Sequence, residues 1–445
     1  MLPLMRDKPQ VRPGPPLRYS GEVSSPEPAV VPRQTLIVGL MGNLLEWYDF
    51  GLYGYFAPLI AERFFPAQAP DAALVSTFGI FALGFLMRPI GSVVFGHFGD
   101  KIGRRGTLAA SVLLMAMSTG LLGALPTYQQ VGILAPILLT VLRLLQGLAI
   151  GGEYTGSMTF LLEHAPPSKR GRVGSWVVCS TVAGILSGSA MAALLTRLLP
   201  GSAWGWRVPF LLGALLGIVG LYIRLRIAET PEFLAVRRSG AIVKFPLLEA
   251  LRHYRCEILT AASLTALQAA AFYLIFVYFP TYLSTERRFP RGSALILNTF
   301  GMGLLCILIP VLGTVSDRFG RRPQQIVGTV AYLVLAYPLF LVFSRGGFVA
   351  CFFAHSAFAV IHSAICSPIP AMFVEMFPTR VRYSSVSLAF NIALAFFGGS
   401  APLIANWLIR STRNLAAPGF YLILSAGVTL AALLAVRETH GQGQN

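Results

Sequence analysis

The sequence predicts an all-α integral membrane protein with twelve transmembrane helices arranged as two six-helix bundles. Its 445 residues are 55% hydrophobic and only 12% charged, whereas soluble globular chains contain about 25% charged residues. A helix that spans a bilayer needs about 20 predominantly apolar residues. Twelve segments meet this requirement, at residues 35–61, 72–97, 106–126, 131–160, 173–196, 206–227, 256–284, 292–316, 324–344, 347–374, 384–409 and 418–437.

The polar segments outside the spans define the predicted domains. Residues 1–33 contain eight prolines and no apolar run, which is typical of a disordered tail. Because no apolar stretch of the signal-peptide kind lies near residue 1, we expect the first span to be its own insertion signal. The predicted domains are the tail 1–33, an N-terminal bundle 34–227, a cytoplasmic linker 228–255, a C-terminal bundle 256–438 and a C-terminal tail 439–445.

The distribution of Lys and Arg predicts the orientation of the chain. If both termini are cytoplasmic, the inner segments hold 24 of these residues and the outer segments hold 9. Basic residues accumulate on the cytoplasmic side of membrane proteins, so we expect a multi-pass protein of the cytoplasmic (inner) membrane with both termini inside. The net charge of +17 comes from short clusters between apolar runs, which favours contact with lipid head groups over nucleic-acid binding.

Two sequence motifs occur twice and indicate a duplicated six-helix unit. The pattern GxxxD[KR]xGRR occurs at residues 96–105 and 313–322, between the second and third spans of each half. The pattern ExxPxxxR occurs at residues 163–170 and 375–382, between the fourth and fifth spans. The offsets of 217 and 212 residues are nearly equal, so one duplication accounts for both repeats.

The charges of these repeats are candidates for a gate on the cytoplasmic side. An aspartate in the repeat can lie against a helix N-terminus, while the arginines can meet helix C-termini or the loop glutamates. The alternative is that these charges only determine topology. Arg88 and Glu153, near the cytoplasmic ends of their spans, join the set. The predicted gating residues are Arg88, Asp100, Arg104, Arg105, Glu153, Glu163, Arg170, Asp317, Arg321, Arg322, Glu375 and Arg382.

Several of these segments resemble a known family. GHFGDKIGRRGTL and GTVSDRFGRRP resemble the loop signature of the major facilitator superfamily, and the ExxPxxxR pair with ETPEF (229–233) resembles its sugar porters. Over about residues 35–440 the chain resembles the metabolite:proton symporter family, and within it the proline/glycine betaine proton symporters. The segments that carry this resemblance are GNLLEWYDFGLYGYFAPLIAERFFP (42–66), FLMRPIGSVVFG (85–96), RLLQGLAIGGEYTG (143–156), YLIFVYFPTYLS (273–284) and EMFPTRVRYSSVSLAFN (375–391).

Ionisable residues within the spans are candidates for proton coupling, because charges at membrane depth are costly and usually functional. Glu46 and Asp49 are three residues apart on one helix face, where neighbouring carboxyl groups favour uptake of a proton. Arg143 can pair with ionised Asp49 and release the protonated acid. Sugar-porter symporters resemble this arrangement, which implies proton coupling by Asp49 and Arg143. For Glu46, a proton site, a substrate contact and a packing role remain open.

Aromatic residues and the same charges provide the substrate-binding candidates. A quaternary ammonium group binds aromatic faces by cation–π contact, which we consider for Tyr48, Tyr273 and Tyr278, whereas we interpret most other aromatics as packing or interfacial residues. His355 and His362 lie seven residues apart on one helix face, and we interpret them as packing residues, with a proton relay as the alternative. The predicted substrate-binding residues are Glu46, Tyr48, Arg143, Tyr273 and Tyr278.

The resemblance implies secondary active transport by alternating access, with proton-coupled uptake of a zwitterion such as proline or glycine betaine. A proton symporter of a small carboxylate of the citrate, 2-oxoglutarate or shikimate type is the first alternative. A proton-coupled exporter and a non-transporting membrane receptor are the others. We expect spans 1, 4, 7 and 10 to line a central cavity that contains Asp49 and Arg143.

The sequence carries no sign of an enzyme. It contains no P-loop pattern, and the spans offer neither a clustered nucleophile and base nor a set of metal ligands. Five dispersed cysteines without a CxxC pair predict neither a disulfide framework nor a zinc site. We therefore expect no cofactor and no metal. The expected partners are the small-molecule substrate, protons and the lipid bilayer, and the protein is expected to act as a monomer.

Overall fold

The computed structural model describes residues 33–66, 70–102, 104–151, 153–163, 165–199, 204–225, 246–377, 379–436 and 438. Among these residues, nine helical segments are long and apolar enough to cross a membrane. Two shorter apolar helices, Ala109–Ala124 and Arg207–Tyr222, and the first helix, Arg33–Phe64, account for the other three predicted spans. The predicted N-terminal tail lies outside the described residues, apart from Arg33.

The N-terminal half consists of six spans, of which the fourth is broken into two helices. The first of these two helices ends at Ile150, and Gly151, inside the predicted span 131–160, lies in a turn. The helices are α1 (Arg33–Phe64), α2 (Pro70–Ile102), α3 (Arg104–Ala124), α4a (Leu134–Ile150), α4b (Glu153–Glu163), α5 (Arg170–Leu198) and α6 (Arg207–Leu225).

The C-terminal half repeats this pattern. A short helix, Pro246–His253, precedes it within the predicted linker, whose earlier part and ETPEF segment lie outside the described residues. The spans are α7a (Arg255–Phe272), α7b (Phe279–Thr285), α8 (Arg291–Phe319), α9 (Arg321–Arg345), α10a (Phe348–Cys366), α10b (Ile369–Met376), α11a (Thr379–Ala393), α11b (Ala401–Thr412) and α12 (Pro418–Ala435).

Two spans of the C-terminal half contain a stretch of π-helix. One stretch, Tyr273–Tyr278, joins α7a to α7b, and the other, Leu394–Gly398, lies between α11a and α11b. A π-helical turn shifts the side chains that follow it and often occurs at functional sites. The two stretches meet, because a methyl group on Gly398 would lie 2.9 Å from the ring of Tyr273.

The repeated motif mostly consists of helix ends, which corrects the predicted loops. The last two turns of α8 include Gly313 and Asp317, and only Gly320 separates α8 from α9. Gly320 has φ +95°, a conformation that glycine adopts without the steric cost of a Cβ atom. The tight turn therefore depends on this glycine. In the first copy of the motif, α2 likewise continues to Ile102.

Close helix packing in the N-terminal half depends on small residues. A methyl group on Gly147 of α4a would overlap the carbonyl oxygen of Gly84 on α2, and one on Gly91 would overlap that of Leu148. Small residues allow such close contact between backbones. This packing holds α4a, and with it Arg143, against α2.

The two halves meet mainly along α5 and α8. The Sγ atoms of Cys179 on α5 and Cys306 on α8 are 3.1 Å apart, and both cysteines are free thiols. A second contact between the halves involves α2 and α11a. These two seams leave space between the halves, near the middle of the spans.

Candidate functional site

A central cavity lies between the two halves. The predicted spans α1, α4, α7 and α10 all contribute to its wall, and α5 and α11 contribute as well. Its lining residues are Trp47, Tyr154, Val178, Thr181, Val182, Gln268, Ala269, Phe272, Tyr273, His362, Cys366, Phe390 and Leu394.

The wall of this cavity is apolar and aromatic with a few neutral polar groups. Within the described part of the chain, four buried polar atoms of the wall have no hydrogen-bond partner: Nε1 of Trp47, Oε1 of Gln268, the Tyr273 hydroxyl oxygen and Nε2 of His362. None of the described lining residues is Asp, Glu, Lys or Arg. Buried polar groups normally have partners, so these four atoms are candidates for binding a ligand.

On one side of the cavity, which is the predicted outer side, the halves are joined by hydrogen bonds. The hydroxyl of Tyr55 on α1 donates to the carbonyl oxygen of Phe276 at 2.8 Å. Nδ2 of Asn298 on α8 donates to Oγ of Ser189 on α5 at 3.2 Å. The halves are therefore in contact at this end.

On the opposite, predicted cytoplasmic side, α2 and α4 contact α11a. Nε of Arg88 donates to Oδ1 of Asn391 at 3.1 Å, and Nδ2 of Asn391 donates to the carbonyl oxygen of Gly151 at 2.8 Å. The hydroxyl oxygens of Ser92 and Ser387 are 2.9 Å apart. Arg88, a predicted gating residue, thus lies at the interface between the halves.

A second contact at the same end involves Asp317 and the N-terminus of α5. The two carboxylate oxygens of Asp317 accept the backbone N–H groups of Gly171 and Arg172, each at 2.8 Å. A carboxylate at a helix N-terminus is favoured by the exposed N–H groups and by the helix dipole. The guanidinium of Arg321 lies 3.3 Å from Asp317 and 3.0 Å from Glu375. The bonds of Asp317 to Gly171 and Arg172 join the two halves, whereas the contacts of Arg321 lie within the C-terminal half.

Other predicted gating residues bind backbone groups within their own half. Nε of Arg322 donates to the carbonyl oxygen of Leu433 at the end of α12, at 2.8 Å. Nε of Arg382 donates to that of Phe377 at 3.0 Å. Arg170 lies half-buried at the start of α5. The side chains of Asp100, Arg104, Arg105, Glu153 and Glu163 lie outside the described residues, so these predictions remain untested.

Asp49 is buried inside the N-terminal half, with only 4% of its surface exposed. It faces α3 and α6, because a methyl group on Gly213 would overlap its Oδ1 atom and the hydroxyl of Thr119 lies within hydrogen-bonding reach. Oγ1 of Thr119 accepts a hydrogen bond from Nε2 of Gln146 at 2.7 Å. Oε1 of Gln146 accepts one from Nη1 of Arg143 at 2.9 Å. A chain of polar contacts therefore links Asp49 to Arg143, and we call these four side chains the Asp49–Arg143 relay.

The relay corrects two predictions about this pair. Among the described ion pairs, Asp49 and Arg143 are not joined directly, and neither residue lines the cavity. The guanidinium of Arg143 instead lies 4.3 Å from the ring centroid of Tyr53, one turn beyond Asp49, and 5.4 Å from that of Phe81. Contact with aromatic faces stabilises a desolvated guanidinium, so the aromatic rings and Gln146 occupy the place predicted for the carboxylate.

Glu46 has a different environment from Asp49, although both were predicted to act on one helix face. Glu46 is also buried, and it lies within electrostatic reach of Arg88, Tyr154 and Tyr273. It therefore lies near the wall of the cavity and near the interface between the halves. Asp49 instead lies against Gly213 of α6 and Thr119 of α3, so the two carboxyl groups of α1 have different neighbours.

Of the three tyrosines predicted to bind substrate, one lines the cavity. Tyr273 belongs to its wall. The hydroxyl of Tyr48 donates to the carbonyl oxygen of Pro209 at 3.3 Å, so this side chain points towards α6. The ring of Tyr278 packs against Phe78 at a centroid distance of 5.3 Å. Tyr48 and Tyr278 are therefore not part of the cavity wall.

The sequence interpretation missed several polar residues of these sites. Thr119 and Gln146 belong to the relay, Gln268 and Tyr154 to the cavity, and Asn391 to the interface. Each is a polar residue within an apolar span, and this is the sequence feature that could have identified it as a site residue. Such residues also occur at ordinary helix contacts in membranes, so their position in the sequence alone did not distinguish them.

Comparison with known proteins defines the class of this protein. Residues 39–402 match the model of the Major Facilitator Superfamily. The chain belongs to this superfamily, whose members are transporters and not enzymes.

Proteins named as proline/betaine transporters are among its relatives. It is 35% identical over 422 residues to the glycine betaine/proline/ectoine/pipecolic acid transporter OusA of Dickeya dadantii (strain 3937), covering 92% of this chain and 83% of that protein. It is 36% identical over 423 residues to the proline/betaine transporter of Escherichia coli (strain K12), covering 92% and 84%. A putative proline/betaine transporter of Staphylococcus aureus (strain MSSA476) is 35% identical over 405 residues, covering 88% and 85%.

Solved structures confirm the fold class. The partially occluded, inward-open xylose transporter XylE from E. coli superimposes with a TM-score of 0.72 at 18% identity, covering 92% of this chain and 98% of that structure. The proton:xylose symporter XylE bound to 6-bromo-6-deoxy-D-glucose gives a TM-score of 0.73 at 19% identity, covering 92% and 96%. The prediction of a multi-pass, all-helical membrane protein with the major facilitator fold is therefore correct.

Proposed function

We propose that this transporter takes up a small zwitterion, such as proline or glycine betaine, together with protons. The observation that carries this proposal is the chemistry of the cavity wall, which has neutral polar groups and, among the described lining residues, no charged side chain. Moving a net charge into such a low-dielectric space is costly unless an opposite charge pairs with it. A zwitterion carries no net charge, so it fits this wall better than a carboxylate anion of the citrate type.

The apolar part of the wall supports the same substrate class. Val178, Val182 and Leu394 offer contacts to methyl or methylene groups, which proline and glycine betaine both carry. Relatives named as proline/betaine transporters cover nearly the whole chain. Arg88 and Arg143, which would suit an anionic substrate, lie outside the wall. We keep the small carboxylate as the alternative outcome of the test below.

We further propose that protons couple to transport through the Asp49–Arg143 relay. Ionised Asp49 can accept a hydrogen bond from the hydroxyl of Thr119, which in turn accepts from Gln146. Protonation converts the carboxyl group into a donor and can reverse its hydrogen bond with Thr119, whereas the bonds from Arg143 to Gln146 and from Gln146 to Thr119 keep their direction, because a guanidinium only donates. Arg143 contacts Phe81, whose ring lies 5.9 Å from that of Tyr273 in the opposite half. The protonation state of Asp49 can thus influence the contact between the halves.

The contacts of Asp317, Arg321 and Glu375, with those of Arg88 and Asn391, are proposed as the inner gate. All of them lie at one end of the cavity, and those of Asp317 and Arg88 cross between the halves. A transporter that works by alternating access must open one end of its cavity while the other stays closed. Charge-assisted hydrogen bonds that connect separate helix ends can break and re-form in such a cycle.

Uptake by purified protein in liposomes tests the proposed function. With an imposed proton gradient, acid outside, we expect labelled proline or glycine betaine to accumulate above its external concentration. Dissipating the gradient with a protonophore should abolish accumulation. Liposomes without protein are the control, and citrate, 2-oxoglutarate and shikimate are tested in parallel. Accumulation of one of these anions in place of the zwitterions would support the carboxylate alternative, and protonophore-insensitive uptake would contradict proton coupling.

The proposed location is the cytoplasmic membrane, with both termini in the cytoplasm, and a free cysteine allows a direct test. Cys256, at the start of α7a, is exposed, whereas the other four cysteines are buried or half-buried within the spans. We expect a membrane-impermeant maleimide to label Cys256 in permeabilised cells but not in intact cells. Cys256→Ser should remove the labelling. Labelling of Cys256 in intact cells would show that the predicted orientation is wrong.

A further inference from the structure

We infer that the cavity binds the carboxylate of its substrate through three neutral donors, His362, Tyr273 and Trp47, and without an arginine. This inference rests on the proposed transport of a zwitterion and specifies how one end of it is recognised. The three side chains line the cavity, each is at least 98% buried, and each has a polar atom without a hydrogen-bond partner in the described chain. Trp47 comes from the N-terminal half, and His362 and Tyr273 come from the C-terminal half.

The hydrogen bond between His362 and Tyr332 determines which nitrogen of the histidine carries the proton. Nδ1 of His362 lies 3.1 Å from the hydroxyl of Tyr332, which is fully buried. If Tyr332 donates to Nδ1, its own proton is satisfied and the neutral imidazole carries its proton on Nε2. The opposite tautomer would leave the buried phenol proton without an acceptor, which is costly. Nε2 of His362 is therefore an N–H donor at the cavity wall, and Tyr332 is a positioning residue.

The role of Trp47 is similarly defined, whereas the hydroxyl of Tyr273 can donate or accept. The indole nitrogen of Trp47 can only donate a hydrogen bond. The face of its ring is occupied, because the guanidinium of Arg88 lies 5.1 Å from the ring centroid. The face of Tyr154 is also occupied, since it stacks on Phe390 at 4.5 Å. The aromatic residues of the wall thus offer polar edges and hydroxyl groups more readily than open faces for cation–π contact.

A carboxylate is the ligand group that matches this donor set. It accepts several hydrogen bonds at once, and hydrogen bonds to a charged acceptor are stronger than those between neutral groups. Oε1 of Gln268, also without a partner in the described chain, supplies an acceptor in the same wall. Donors for the anionic end, with an acceptor suited to the ammonium N–H of proline, fit a zwitterion, and the wall needs no fixed charge to bind it. Glycine betaine has no N–H, so its recognition rests on the carboxylate donors and the apolar wall.

Equilibrium binding to purified protein in nanodiscs, without any gradient, tests this inference. The ligands are labelled proline and glycine betaine, and the competitors prolinamide and choline lack the carboxylate. We expect His362→Phe to weaken both carboxylate ligands at least about tenfold, the effect of losing one hydrogen bond to a charged group. The affinity for prolinamide and choline should change little. Trp47→Phe keeps an aromatic ring and removes the N–H. It should likewise weaken the binding of proline and glycine betaine relative to that of prolinamide and choline.

Conservative variants separate recognition from folding. His362→Gln can place an N–H near the position of Nε2 and should keep most of the preference for the carboxylate ligands. His362→Asn places its amide near the position of Nδ1 and should lose this preference. Tyr332→Phe should lower the affinity for proline and glycine betaine relative to that for prolinamide and choline, because His362 can then carry its proton on either ring nitrogen. His355→Gln is the matched control, because His355 lies on the same helix but binds the carbonyl oxygen of Ile275 and does not line the cavity. It should leave the ratio of carboxylate-ligand to competitor affinity unchanged.

The outcomes distinguish this inference from the proposed function. If wild-type protein binds proline or betaine and the His362 and Trp47 variants keep the wild-type ratio, the inference is wrong while the function stands. If His362→Gln and His362→Phe bind normally but no longer accumulate substrate, His362 acts in proton transfer and the inference is also wrong. If the wild type binds only citrate, 2-oxoglutarate or shikimate, the proposed substrate is wrong, and a tenfold loss of that carboxylate in His362→Phe would still support the donor set.

Discussion

Asp49→Asn should abolish accumulation of substrate while substrate binding and exchange continue. The variant keeps the size of the side chain and resembles the protonated acid, but it cannot release a proton. In proteoliposomes with an imposed proton gradient, the internal concentration of substrate should not rise above the external one. Exchange of labelled for unlabelled substrate across the same membrane should persist, because it requires movement of the loaded transporter without a change in protonation.

The position of Asp49 explains why the expected effect is so large. Asp49 is not one of the described residues that line the cavity, so the substitution should not remove a substrate contact. It acts on the hydrogen bonds with Thr119 and, through Gln146, on Arg143. A ligand shifts a conformational equilibrium only by its differential affinity for the two states. Without a titratable group at position 49, the relay gives the proton gradient no means of driving the cycle.

Glu46→Gln is the matched control for this prediction. Glu46 is the other buried carboxyl group of α1, and its surroundings include Arg88, Tyr154 and Tyr273 in place of Thr119. If Glu46 only organises the wall of the cavity, Glu46→Gln should change affinity and still allow accumulation. Normal accumulation by Asp49→Asn, with its loss in Glu46→Gln, would assign the proton site to Glu46.

The sequence predicted best those features that depend on local chemistry. Apolar runs predicted twelve spans, and nine helical segments of the described chain are long and apolar enough to cross a membrane, because the bilayer imposes this length on each helix. The role of Asp317 at a helix N-terminus and the pairing of Arg321 with Glu375 followed from short motifs that place complementary groups at helix ends. Gly320, with its positive φ, belongs to the same short motif.

Features that depend on the packing of several helices were not predictable from one helix at a time. The spacing of Glu46 and Asp49 showed that they project from similar faces of α1, but the neighbours of each face depend on how α3, α6 and α2 pack around it. Arg143 was expected to meet a carboxylate, and the glycine contacts of α4a with α2 instead place it beside Tyr53 and Phe81.

The π-helical stretch at Tyr273–Tyr278 illustrates the same limit at the cavity. It shifts the helical register in the middle of an apolar span, and no break in the hydrophobic pattern marks it. Tyr273 consequently faces the cavity and Tyr278 faces α2, although the sequence interpretation treated them alike. His362 was interpreted as a packing residue. The partner of its Nδ1 atom, Tyr332, lies 30 residues away in the chain, so the sequence around His362 does not show this contact.

The contact between α5 and α8 at the predicted cytoplasmic end has almost no spare space. A methyl group on Gly313 would overlap the side chain of Ser175 and lie 2.8 Å from the carbonyl oxygen of Gly171. Gly171 also donates its backbone N–H to Asp317. A larger side chain at Gly313 must therefore push α5 away from α8 and stretch the hydrogen bonds of Asp317.

Gly313→Val should reduce the initial rate of gradient-driven uptake by about 5- to 140-fold, because overpacking of this kind costs roughly 1–3 kcal/mol and each 1.4 kcal/mol is tenfold in an equilibrium. The cost applies to the state in which this end is closed, so the variant should favour the state in which it is open. Gly303→Val is the matched control on the same helix, since a Cβ atom at Gly303 meets nothing within 4 Å. Both variants are compared for uptake, for substrate binding and for monodispersity after purification, so that a loss of folding is recognised. Uptake by Gly313→Val at the rate of Gly303→Val would show that this contact does not open and close during transport.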